Sequence, residues 1–228
     1  MKVVFCIPTL TKPYQVCTDA LAASAPLLTA AGWDHGVVFE VGCPYISHAR
    51  ATLLRKALDA KADAIVFIDH DLSWEPQDLL TLIETKGDVV AGVYRFKKDE
   101  EEYMGSVLTD AGGTPLPRRD DGALQGFSAP AGFLKITTKA VNDIIRAYPE
   151  LVYGELHTPC VDLFNHGAHN NTWYGEDYAF CRRWLQRGGE LFIVPNLNLN
   201  HHTTESVYAG NFHMYLRRQP GGDLCTST

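Results

Sequence analysis

Five consecutive apolar residues, Ala64-Ile65-Val66-Phe67-Ile68, run straight into Asp69-His70-Asp71, and this segment constrains the fold more than any other. An apolar run without alternation is a strand buried on both faces. Residues 3–7, 37–41 and 89–94 are built in the same way. Helical patterns lie between them. Ser47 is placed to cap a helix whose Leu53, Leu54, Ala57 and Leu58 form one apolar stripe. Pro76 suits the first turn of a helix carrying Leu79, Leu80, Leu82 and Ile83. Strand and helix in alternation predict a mostly parallel central sheet flanked by helices, an α/β domain of Rossmann-like layout.

The rest of the chain is less regular. Residues 97–125 open with the charge run Lys97-Lys98-Asp99-Glu100-Glu101-Glu102 and continue through Gly112, Gly113, Pro115, Pro117 and Gly122, which predicts a hairpin or mobile loop with a solvated face. Residues 132–136 read as a strand, with Thr138 capping a helix that bears Val141, Ile144, Ile145 and Tyr148. Residues 160–175 read as loop. Residues 176–187 read as a helix stopped by Gly188-Gly189, and residues 191–194 as a strand.

Charge and cysteine content narrow the function. The 228 residues carry 20 Lys and Arg against 27 Asp and Glu, a net charge of −7, which argues against a general nucleic-acid coat protein. No apolar run approaches the roughly 20 residues of a membrane span. The first residues read as a strand, not a secretion signal, so a cytoplasmic protein is the expectation. Cys6, Cys17, Cys43, Cys160, Cys181 and Cys225 form no C-x-x-C pair and read as small hydrophobes.

Three segments can carry chemistry. In an extended Asp69-His70-Asp71 the two carboxylates project to one side and His70 to the other, at the carboxyl end of a central strand, where open α/β sheets place ligands. Convergent carboxylates there repel unless a divalent cation or hydrogen-bond donors hold them, and hard oxygen ligands favour magnesium or manganese. Glu176 and Asp177 open a helix, where acids complement the helix dipole; one of them is also a candidate general base. In Leu197-Asn198-Leu199-Asn200-His201-His202, alternation puts Leu197, Leu199 and His201 on one face. The sequence contains no P-loop, no G-x-G-x-x-G after the first strand and no G-x-S-x-G elbow.

Taken in order, these pieces resemble a glycosyltransferase of the GT-A fold, similar to the family 2-like enzymes of bacteria and bacteriophages. The resemblance runs over roughly residues 2–210. Ile7-Pro8-Thr9 resembles the family's first strand and nucleotide-facing turn. Ile46-Ser47-His48-Ala49-Arg50 resembles its I-S-x-A-R-N segment, with Ala51 in place of Asn. Asp69-His70-Asp71 falls at the D-x-D motif, Ala91-Gly92-Val93-Tyr94 with Lys97 or Lys98 at the next strand and its basic follower, and Pro130-Ala131-Gly132-Phe133-Leu134 at the glycine turn of the acceptor side. Gly175-Glu176-Asp177 resembles the acidic helix start, and His201 or His202 stands where the fold commonly supplies a histidine to the metal.

The resemblance implies transfer of a sugar from a nucleotide-diphosphate donor, UDP foremost, to an acceptor hydroxyl on a glycan or a modified base of phage DNA. Residues 1–95 would form the nucleotide-sugar half and 96–218 the acceptor half, with 219–228 a flexible tail. Pro8, Thr9, Arg50, Asp69, His70 and Asp71 would meet the donor. Asp69, Asp71 and His201 or His202 would hold manganese or magnesium. Asp177, with Glu176 second, would be the base, and Gly132, Trp173 and Tyr174 would face the acceptor. A magnesium-dependent nucleotidyltransferase and a non-catalytic nucleotide-sugar- or glycan-binding protein are the alternatives; the glycine-poor Thr9-Leu10-Thr11-Lys12-Pro13 speaks against the first and the retained acids against the second.

Overall fold

The computed structural model describes residues 1–219; the expected tail from residue 220 on, with Cys225, lies outside the described residues. The chain begins β1 (Lys2–Thr9), α1 (Gln15–Ala30), β2 (Asp34–Val41), α2 (Ile46–Asp59), β3 (Ala64–Ile68), β4 (Leu72–Ser73), α3 (Pro76–Glu84) and β5 (Val89–Ala91). It continues through β6 (Ser106–Val107), β7 (Leu124–Ser128), β8 (Phe133–Thr137), α4 (Thr138–Ala147), β9 (Val152–Tyr153) and β10 (Cys160–Val161). The last elements are β11 (Gly167–His169), β12 (Thr172–Tyr174), α5 (Glu176–Gln186), β13 (Leu191–Ile193), β14 (Asn198–His202), β15 (Val207–Asn211) and α6 (Phe212–Arg218).

Eight strands form the central sheet in the order β2-β1-β3-β8-β5-β13-β7-β6. It is mostly parallel in direction: β1 pairs in parallel with β2 and β3, and β5 with β13, while β8 runs antiparallel between β3 and β5. Every residue of β3 is buried. Fully burying a large apolar side chain stabilises by roughly 1.5–3 kcal/mol, so Ile65, Val66, Phe67 and Ile68 anchor the sheet. One core cluster beneath α2, α4 and α5 and a second beneath α1 and α3 sandwich it. No helix among the described residues is long and apolar enough to cross a membrane.

Several boundaries differ from the sequence expectation. Tyr45, not Ser47, is the N-cap of α2, and Ser47 lies inside its first turn. Thr137, one residue before Thr138, caps α4 by accepting from the Ala140 N–H at 3.2 Å. The strand expected over 89–94 pairs only as far as Ala91. Residues 160–175 contain the β11–β12 hairpin, whose Asn170 and Asn171 both have positive φ (48° and 63°), the requirement of a type I′ turn. α5 ends as expected. Gly188 is left-handed at φ +84°, and Gly189 lies so close to Trp184 that a Cβ would meet its ring at 2.3 Å. The five described cysteines are free, with Cys6, Cys17 and Cys181 buried.

Candidate active site

The carboxyl ends of β1 and β3 open onto a cavity of ≈ 270 Å³ lined by Pro8, Thr9, Asp69, His70, Asp71 and His201, among others. The three residues after β3 are not extended: the Leu72 N–H donates to the Asp69 carbonyl at 3.2 Å, closing a turn. The turn keeps His70 on the cavity with both acids, where extended backbone would send it away. Tyr14 lies against the His70 ring at 5.5 Å.

The two carboxylates are held by different partners. Asp69 accepts from Arg50 Nη2 at 3.1 Å on Oδ1 and from the Tyr94 hydroxyl at 2.8 Å on Oδ2. Asp71 Oδ2 accepts from Lys97 Nζ and stands 3.6 Å from His201 Nε2. The repulsion expected of two neighbouring acids is thus relieved by donors. Burial disfavours the charged Asp71, yet His201 and Lys97 together hold its carboxyl well below the usual range. Lys97 therefore faces the site, although it belongs to the run read as a solvated face. Its neighbours Lys98 and Glu102 pair with each other on the surface.

His201 reaches Asp71 because β14 pairs antiparallel with β4, placing His201 opposite Leu72, and because the His202 N–H donates to the Asp71 carbonyl at 2.9 Å. His202 itself turns toward Ser73 Oγ, 2.8 Å away. His201 Nδ1 lies 2.8 Å from the Arg95 carbonyl, which can only accept, and this assigns the ring proton to Nδ1. Nε2 is then the ring nitrogen that faces Asp71 Oδ2, and the Lys97 ammonium stands at the same oxygen. One carboxylate and one imidazole held by a backbone carbonyl suit a divalent cation that takes its remaining oxygens from diphosphate and water. Among the described residues no group of three or more His, Cys, Asp and Glu side chains gathers around one point.

Arg50, in the first turns of α2, is almost wholly buried at 3% exposure. Its guanidinium lies against both the Phe67 and Phe164 rings, which pack edge-on on each other, donates to the Ala131 carbonyl at 3.2 Å and comes within 3.7 Å of Glu176 Oε1. Burial disfavours its charge, but Asp69 and Glu176 keep it protonated. Arg50 thus ties the carboxyl end of β3 to the start of α5. The sequence places Tyr94 in the strand after the D-x-D motif and gives it no role at the site. Tyr94 is buried, holds Asp69, and packs edge-on against His201 at 4.9 Å. Gly132 backs the pair, and its carbonyl accepts the Asp69 N–H at 2.9 Å.

Asp177 is the second residue of α5, half-buried, with Oδ1 accepting its neighbour Tyr178 N–H at 2.7 Å. Burial, then the charge of Glu176, push its carboxyl up to about 6. Trp173 is 70% exposed on β12, and Tyr174 is half-buried beside it.

No family model matches the sequence, and no curated protein sequence does either. Solved structures do share the fold. A197 from STIV superposes with a TM-score of 0.55 at 15% identity over 92% of this chain and 95% of that one. A structure described as mannose-1-phosphate geranyltransferase from Thermus thermophilus gives 0.50 at 14% identity, over 87% of this chain and 76% of that one. A Drosophila galactosyltransferase 7 complex with manganese, UDP-Gal and xylobiose gives 0.43 at 12% identity, over 99% and 79%. The fold is of the GT-A type.

Proposed function

We propose that the chain is a glycosyltransferase that moves a sugar from a nucleotide-diphosphate donor to an acceptor hydroxyl. One observation carries this reading: Arg50 ties Asp69, on the cavity at the carboxyl edge of the sheet, to Glu176, the neighbour of Asp177. The cavity and an acid with a raised pKa are thereby linked through one guanidinium.

In the transfer, the bond between the sugar's anomeric carbon and the diphosphate oxygen breaks, and the acceptor oxygen bonds to that carbon. Asp177 takes the hydroxyl proton. A carboxylate with pKa about 6 is a stronger base than an ordinary one and is still ionised at neutral pH. Arg50 acts through others as a positioning residue, since its guanidinium is already engaged by Asp69, Ala131 and Glu176. Tyr94 orients Asp69 toward the donor side. Asp71 and His201 would hold manganese or magnesium, which supplies Lewis-acid charge for the departing diphosphate. Pro8, Thr9 and His70 line the donor cavity, and UDP is the nucleotide the sequence resemblance favours.

Calorimetric titration of a panel of nucleoside diphosphates and their sugars, with and without manganese, tests the reading. One nucleotide bound tightly only with the metal is the expected result. A folded protein that binds none of them would overturn the transferase assignment.

A further inference from the structure

A second cavity, of ≈ 390 Å³, lies between the end of β7, the β11–β12 hairpin and the outer face of α5. Phe127, His169, Asn170, Tyr174, Tyr178 and Arg182 are among its walls, and no carboxylate lines it. Tyr178, in its wall, is the residue after Asp177 in α5. After burial, the charge of Asp177 is what most raises the Tyr178 hydroxyl, in keeping with that closeness.

Arg182 sets the chemistry of this space. Its guanidinium lies over the Tyr174 ring at 5.2 Å and donates from Nη1 to Gln186 Oε1 at 2.9 Å. Nε is buried and has no hydrogen-bond partner, and no acidic side chain within 4.0 Å pairs with Arg182 among the described residues. A half-buried guanidinium whose acceptor is one neutral amide is a site for an anion, because a charged donor bonds an ionised acceptor more strongly than a neutral one. The aromatic faces around it suit the C–H face of a sugar ring.

We infer that this cavity binds the acceptor, and that the acceptor is a pyranose bearing an anionic group, a carboxylate or a phosphate. This rests on the transferase reading and names its substrate class. A polynucleotide is disfavoured, since it needs cations tracking its backbone, whereas this cavity offers one guanidinium on a chain of net charge −7.

The test is binding by ligand-observed NMR of methyl glucuronide, glucose 6-phosphate and neutral methyl glucoside to the whole protein, with UDP and manganese titrated separately. Preference for one or both charged sugars by about tenfold, the scale of a charge-assisted hydrogen bond, is expected, and the arm that binds says whether carboxylate or phosphate is recognised. Arg182→Gln should erase the preference and Arg182→Lys should keep part of it. Equal binding of charged and neutral sugars, no sugar binding at all, or a preference unchanged in Arg182→Gln would each overturn the inference, as would tighter binding of a single-stranded oligonucleotide at this cavity. Charged-sugar preference without UDP binding would uphold the cavity assignment and sink the transferase reading, so the two failures are distinct.

Discussion

Asp177 removes a proton only when ionised, and with its carboxyl pushed up to about 6 the pH dependence has a definite sign. The transfer rate should rise about tenfold per pH unit below 6 and level off above it, as for a single base. Asp177→Asn should lose about 10²- to 10⁴-fold in rate, the usual contribution of a general base, while donor binding by calorimetry stays within the wild-type range. A flat pH profile in wild type would remove Asp177 from that role. Gly132 makes a second prediction at this scale. A Cβ there would stand 2.1 Å from the Tyr94 hydroxyl and 2.2 Å from Asp69 Oδ2, and both are fixed by neighbours. Gly132→Ala should therefore cost about 1–3 kcal/mol in urea unfolding, as overpacking does, and should weaken donor binding by displacing Asp69.

Helix α3 ends over Lys135, a β8 residue that is 4% exposed and whose Nζ donates to the Ile83 carbonyl at 3.0 Å and to the Thr85 carbonyl. The ammonium thus satisfies the unpaired carbonyls of a helix end. Burial nevertheless pulls its pKa down from 10.5 to about 8. The folded protein then sheds this proton before the unfolded chain does, so the unfolded state binds more protons between pH 8 and 10.5. The Lys135 contribution to stability must rise with pH across that window, by roughly 3 kcal/mol at most. Comparing urea unfolding of wild type and Lys135→Met from pH 7 to 10.5 isolates this contribution, since other alkaline groups act on both. Equal pH slopes in the two proteins would refute it. Elements differ in how plainly the sequence announces them. α1 escapes notice because its buried face is Cys17, Ala20, Ser24 and Leu28, mostly small or polar, and because it holds Pro26. Ser24 is buried there with both hydroxyl bonds made, donating to the Ala20 carbonyl at 2.7 Å and accepting from Trp74 Nε1, just after β4, at 3.1 Å. The β11–β12 hairpin, by contrast, had a readable signal in Asn170-Asn171.

For the molecule as a whole, a ligand that binds only the folded state raises its melting temperature, with about 2.7 kcal/mol gained at a hundredfold excess over Kd. UDP with manganese should raise the melting temperature of the wild type more than UDP alone. Asp71→Asn should lose the manganese-dependent part and keep its fold. An undiminished manganese effect in that variant would exclude Asp71 as a ligand. By itself the sequence determined the layered α/β architecture and the acids at the carboxyl edge, because unbroken apolar runs and helical stripes are local patterns that burial must satisfy. It did not determine that β8 runs antiparallel between β3 and β5, since strand pairing is a choice among distant segments. Nor did it determine which groups share the site. Lys97 and His201 meet on Asp71 from 26 and 130 residues away, and Arg50 links Asp69 to Glu176 from 19 and 126. Such pairings follow from the register of β4 on β14 and the packing of α2 and α5 on one core cluster. These are long-range packing outcomes, and no spacing in the chain encodes them.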